Sequence, residues 1–275
     1  MARPPPIQLP DALAAGLTID ELALLVARDL RPDAPIERTR ERLDAISAPL
    51  RERDASVLRP STQAALLAEQ IFLEHQFRGN ETDYYDPRNS DLTEVVERKL
   101  GIPLTLAIVM IAVGRRAGLH VRGVGFPGHF LVRVGAGEDG VLVDPFDDGR
   151  ELSPSGVAQL AQRHLGGASR LLPEHVAVVD ERSMIVRMLL NLKLAHERQR
   201  SHAPAMVACD RLVDLTQTVE FRRDRGLHAL ALGADLAAIA DLEAYLAETP
   251  SPPDEGEIRR AIQRARRGAF ASRLS

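Results

Sequence analysis

The sequence holds a single cysteine, Cys209, and no tryptophan. One thiol excludes a disulfide framework within the chain and makes a reducing cytoplasm the expected compartment. Aromatic residues make up only 4% of the chain, so its core must be assembled mainly from Leu, Ala and Val. Lysine is nearly missing as well, since Lys99 and Lys193 are the only two. That reads as codon usage favouring Arg rather than as a recognition surface. Neither sign of charge dominates: the formal net charge is -4, which gives no case for nucleic acid or an anionic membrane as partner. Long apolar runs are lacking too. Arg115 and Arg116 interrupt the best candidate before the ~18–20 residues a membrane helix needs. The opening MARPPPIQLPDALAAGL is broken by prolines and soon meets acids, a poor match to a secretory leader.

What is present is 275 residues, 45% of them hydrophobic, enough for one large domain or two modest ones. Residues 1–16 read as a flexible arm, because three consecutive prolines favour an extended form. Thr18 with Glu21 three residues on fits a capping box opening the helix TIDELALLVARDL. Pro35 starts a second helix, with Leu43, Ile46 and Leu50 on one face. A third runs from about Ser61 through TQAALLAEQIFLEHQF and stops at Gly79-Asn80. NETDYYDPRNSDL is rich in turn formers. Thr93 then caps TEVVERKL, which ends at Gly101. Pro103 suits the first turn of LTLAIVMIAVGRRAG. That segment is apolar on nearly every face and is expected to be the buried central helix.

HVRGVGF, HFLVRV and GVLVDPF then read as short strands, the last two joined in a hairpin around GAGEDG. If Val134 pairs with Val141, His129 and Asp144 become diagonal same-face neighbours, ~7–8 Å apart at the backbone. A slip of one residue would separate them. After Gly149 the pattern turns helical to the end. Two helix pairs follow one another at about the 34-residue period of a tetratricopeptide repeat, and EGEIRRAIQRARR would cap the stack. The expected division is 1–16 arm, 17–155 mixed domain and 156–275 helical repeats.

The segments GNETDYYDPRNSDLTEVVERKLGIPLTLA (79–107), GVGFPGHFLVRV (123–134) and VDPFDDGREL (143–152) resemble the SirB1 family of bacterial transglutaminase-like proteins. The resemblance implies an α+β core like those of transglutaminases and papain-type peptidases, with N-terminal helices before it and an all-α repeat-like region after it. It also implies a Cys opening the central helix, with His and Asp on adjacent strands. In that arrangement Cys attacks a carbonyl, His moves protons and Asp orients the imidazole. His129 matches the His and Asp144 the Asp. The helix start reads Ile102-Pro103-Leu104-Thr105, so the thiol, which ionises readily at a helix N-terminus, is missing.

Each candidate residue has a sharp and a bland reading. Thr105 is a substitute nucleophile or a hydroxyl that caps the first turn; the cap is favoured. Ser90 is a second candidate hydroxyl with the same alternative. His129 and Asp144 are an acid–base pair or a structural remnant that pins the hairpin. A metal held by His129, Asp144 and Asp147 or Asp148 matches no known ligand spacing, and no cofactor is expected. Tyr84, Tyr85, Asp86, Arg88 and Asn89 match the family's segment; with Ser90 and Pro103 they line a pocket beside His129 or form a self-satisfied loop. Cys209 reads as a packing residue, and His196 and His202 as solvent-facing. The repeat region is either a groove for a protein or peptide partner or a structural extension. The expected function is an atypical transglutaminase-like protein without the nucleophilic cysteine, binding or regulating a partner. The alternative is a hydrolase or acyltransferase acting on amides or esters with a hydroxyl or water nucleophile.

Overall fold

A computed structural model describes residues 8–165 and 172–271. Two compact units make up the chain: Ala15–Met188, and Leu189–Ser275 together with the N-terminal segment through Ala14. Residues 1–7 of the expected arm lie outside the described residues. Its later part forms helix α1, Leu9–Ala14, with Leu9 and Ala12 buried.

Unit 15–188 opens with three helices, α2 (Ile19–Leu30), α3 (Ile36–Glu52) and α4 (Pro60–Ala68). Their apolar faces were readable from spacing: Leu43, Ile46 and Leu50 of α3 are all buried. The capping box is different from expectation. Thr18 makes no side-chain cap, because Glu21 instead binds Arg40 of α3, with Arg40 Nε donating to Glu21 Oε1 at 2.9 Å. Beyond Ala68 the third helix does not run on to Gly79-Asn80. It loosens into a π-helical turn, Glu69–Glu74, and reverses at Gln76, whose φ is +58°. The freed chain makes β1 (Arg78–Gly79), paired in parallel with β2 (Leu100–Gly101).

Between them lies α5 (Leu92–Arg98), capped by Asp91 rather than Thr93: the Asp91 carboxylate accepts from Thr93 N–H at 2.9 Å. Its end is Lys99, at φ +59°. Helix α6 (Pro103–Arg116) is buried without a break from Pro103 to Gly114. It packs on α2, α3 and α4 and on two strands of the main sheet. That central position explains the absence of a polar face.

The sheet is an antiparallel meander of β3 (Val121–Val124), β4 (Leu131–Val134), β5 (Val141–Asp144) and β6 (Arg150–Leu152). Val134 pairs with Val141, so the alternating pattern set the register. Helix α7 (Pro154–Leu165) lays Val157, Leu160 and Ala161 onto Val124, Phe126 and Leu131. The unit does not end near 155, where the helical pattern begins. Val178 bridges to Val124 on the open edge of β3, and Val179 N–H donates to Gly123 O at 2.9 Å. These contacts cover an otherwise unpaired edge and carry the unit through Met188.

The second unit contains the rest of α8 (Glu181–Arg198), then α9 (His202–Thr216), α10 (Val219–Ala231), α11 (Asp235–Glu248) and α12 (Glu255–Ala271). Consecutive helices from α9 to α12 pack on one another, and α1 packs on α9. Cys209 is completely buried in α9. None of the helices, among the described residues, is long and apolar enough to cross a membrane.

Candidate functional site

Strand β5 ends on Asp144, and the residue two before β4 is His129. The hairpin register brings them together: His129 Nε2 lies 2.8 Å from Asp144 Oδ1. Both are buried, 6% and 5% exposed, so the contact is shielded from water and worth more than a surface pair. The Phe146 N–H also donates to Asp144 Oδ1, at 2.9 Å. The hydrogen bond that Nε2 makes to this carboxylate is what sets the tautomer of the ring. Any action of that ring on a bound molecule falls to Nδ1.

Arg187 fixes the loop carrying His129. Its Nη2 donates to His129 O at 2.9 Å and its Nη1 to Phe126 O at 3.3 Å. The guanidinium also lies over the Phe130 ring, 5.3 Å from its centroid. Burial pulls the Arg187 pKa below its ordinary value, yet an arginine stays charged.

A cavity of about 600 Å³ opens over the pair. Its wall is an aromatic series: Tyr85 meets Tyr84 edge-on at 5.4 Å, Tyr84 meets Phe146 at 6.2 Å, and Phe146 meets His129 at 6.1 Å. His164 of α7 stacks on His129, with centroids 5.2 Å apart and planes 21° from parallel. Two glycines make these contacts possible. A Cβ on Gly79 would fall 2.5 Å from the Phe146 ring, and one on Gly128, at φ +67°, would meet His164 Nδ1 at 3.0 Å. Burial, then His129 and Arg163, hold the His164 imidazole below its usual pKa. Burial pushes the Tyr84 phenol up. Glu81, Asp147 and Arg163 complete the polar lining.

The helix start reaches the cavity only through Pro103. Thr105 lies one turn in and is fully buried. Its Oγ1 accepts from Ile102 N–H at 3.1 Å and donates to Asn89 O at 2.7 Å. The hydroxyl is thus spent on capping α6 and tying it to the preceding loop.

That loop splits the expected pocket residues. Tyr84, Tyr85 and Pro103 line the cavity. Asp86, Asn89 and Ser90 are buried outside its lining. Asn89 Nδ2 donates to Asp83 O at 2.7 Å and its Oδ1 accepts from Asn80 Nδ2 at 3.0 Å, which folds the loop on itself. The Asp86 carboxylate accepts from Arg88 N–H at 3.0 Å, and Arg88, Arg98 and the Arg88 N–H hold its pKa below the usual carboxylate range against burial, which acts in the opposite direction. Asp147 lines the cavity and Asp148 does not. Among the described residues no three His, Cys, Asp or Glu side chains gather as a metal site. His164 and Arg163 carry no motif; only the packing of α7 on the sheet reveals them. Phe146 had a signal, the DPF segment.

Residues 37–190 match the family described as the transglutaminase-like superfamily, and residues 192–263 match the tetratricopeptide repeat. Relatives include a UPF0162 protein of Xylella fastidiosa (strain Temecula1), 36% identical over 248 residues that cover 88% of each chain. A UPF0162 protein of Vibrio cholerae is 26% identical over 243 residues, 86% of this chain and 88% of the relative. A shorter match, 30% identical over 132 residues, joins 45% of this chain to 20% of the F-box only protein 21 of Mus musculus. No solved structure matches.

Proposed function

We infer function from one premise: the chain belongs to the transglutaminase-like superfamily, among the UPF0162 proteins. We propose that it is a binding or regulatory module of that superfamily without thiol chemistry, and that its tetratricopeptide-like region receives a protein or peptide partner. The finer placement in the SirB1 family rests on the segments around residues 79–107, 123–134 and 143–152. The observation that carries the proposal is the start of α6. It offers Pro103 to the cavity, while the nearest hydroxyl on the helix, Thr105, is buried and bonded to backbone. A carbonyl carbon held against His129 would meet no nucleophile from this helix. Tetratricopeptide repeats support the partner, since stacked helix pairs commonly bind peptides or helices.

A second reading keeps the His129–Asp144 pair as a general base acting through Nδ1 on a bound water. The favouring observation is the cavity itself, which a purely structural pair would not need.

One experiment separates them. The protein is incubated with fluorogenic amide and ester substrates, and with a glutamine peptide plus a primary amine, beside a His129→Ala variant. The module reading expects rates equal to the variant's at every pH. A wild-type rate with a pH inflection that disappears in the variant overturns it and establishes the second reading. A Thr105→Ala variant then distinguishes a hydroxyl from a water.

A further inference from the structure

A second cavity, about 710 Å³, lies in the same unit and shares no lining residue with the first. Its volume falls in the ~300–1,000 Å³ range of small-molecule sites. Phe72, Leu73 and Phe77 give it an apolar side, and Arg78, Arg98 and Lys99 a basic one. Three features mark it as built rather than incidental.

The first is strain. Of the seven non-glycine residues with positive φ among the described residues, three line this cavity: Gln76 at +58°, Lys99 at +59° and Asp148 at +49°. Such conformations persist only where the surroundings enforce them, and they gather at ligand sites. The second is the π-helical turn Glu69–Glu74, which supplies Phe72 and leaves Leu73 70% exposed at the cavity. Turns of this kind recur at functional positions. The third is charge without partners. Arg78 and Lys99 make no ion pair among the described residues, although the β1–β2 pairing sets them together, Arg78 N–H donating to Lys99 O at 3.0 Å. Arg98 gives Nη2 to Asp86 at 3.3 Å, while its Nη1 is buried with no hydrogen-bond partner among the described residues.

We propose that this cavity binds a small organic carboxylate with an apolar body. The guanidinium fork suits a carboxylate, and the aromatic side suits the chain behind it. Glu69 and Asp148 also line the cavity and Asp86 pairs with Arg98, so little cationic excess remains. A single negative charge fits that balance better than a phosphate dianion.

Sodium decanoate is the probe, titrated by calorimetry into the full-length protein, with decanol and acetate as controls. The expected result is saturable one-to-one binding of decanoate, with both controls at least about tenfold weaker. Arg78→Gln, Lys99→Gly and Leu73→Asp should each weaken it by about tenfold or more. All three spare the fold: Arg78 and Leu73 are exposed, and glycine takes the backbone of Lys99 without strain. His129→Ala, in the other cavity, should bind decanoate as the wild type does. Absent or non-saturable binding overturns the proposal. So does decanol or acetate binding as tightly as decanoate, or unchanged affinity in the three variants.

Discussion

Thr105 is a hydroxyl near the start of α6 whose work is structural. Its hydroxyl caps α6 and anchors the loop that carries Tyr84 and Tyr85. Thr105→Val keeps the shape and removes both bonds, leaving Ile102 N–H and Asn89 O unmatched. The expected loss is about 1–3 kcal/mol, read from urea unfolding. Cys209 is a reactive group shut inside the fold. Complete burial pushes its pKa up to about 12, so at pH 8 it is protonated as well as inaccessible. Ellman's reagent should find no thiol in the folded protein and one per chain in denaturant. His164 was not legible in the sequence, because a stacking partner twenty residues beyond Asp144 follows from no spacing rule. His129 and Asp144 were legible, because a period of two and a short loop leave little freedom of register.

Among the elements, β6 (Arg150–Leu152) stands where the pattern had turned helical, whereas β3, β4, β5 and α6 followed from pattern, since alternation and an all-round apolar helix each have one stable solution. The π-helical turn and the parallel pair β1–β2 did not. A run such as LLAEQIFLEHQF satisfies a regular helix locally, so its spacing shows neither the turn nor how closely the strand beyond it approaches its neighbours. Phe146 shows the closeness, because its ring occupies the space a Cβ on Gly79 would need. Gly79→Ala should therefore displace the ring from its edge-on contact with His129. The cost is about 1–3 kcal/mol, and the nearby His129 ring protons should shift in NMR spectra. The edge of β3 makes a related point. Its coverage by Val178 and Val179 takes the boundary past the place where composition alone changes character.

At the scale of the whole molecule, the chain interleaves its two units. Segment 15–188 is inserted into a unit whose first helix is α1 and whose remainder follows Leu189. Leu9→Ala should accordingly act on the repeat-containing unit and not on its sequence neighbour. Leu9 is 1% exposed, so the change should cost that unit about 2–4 kcal/mol. Amide hydrogen exchange would read this as lost protection in α9 with α6 unchanged. Equal loss in both helices would instead mean that the units unfold together.

The same interleaving has a consequence for synthesis. Helix α1 is translated well before α9, which begins only at His202, and at about 5–20 residues per second the delay runs to tens of seconds. During that time α1 is too short to be stable alone, while everything needed for segment 15–188 has already emerged. The nascent chain therefore completes segment 15–188 while α1 waits as an unpaired apolar turn, until α9 leaves the ribosome.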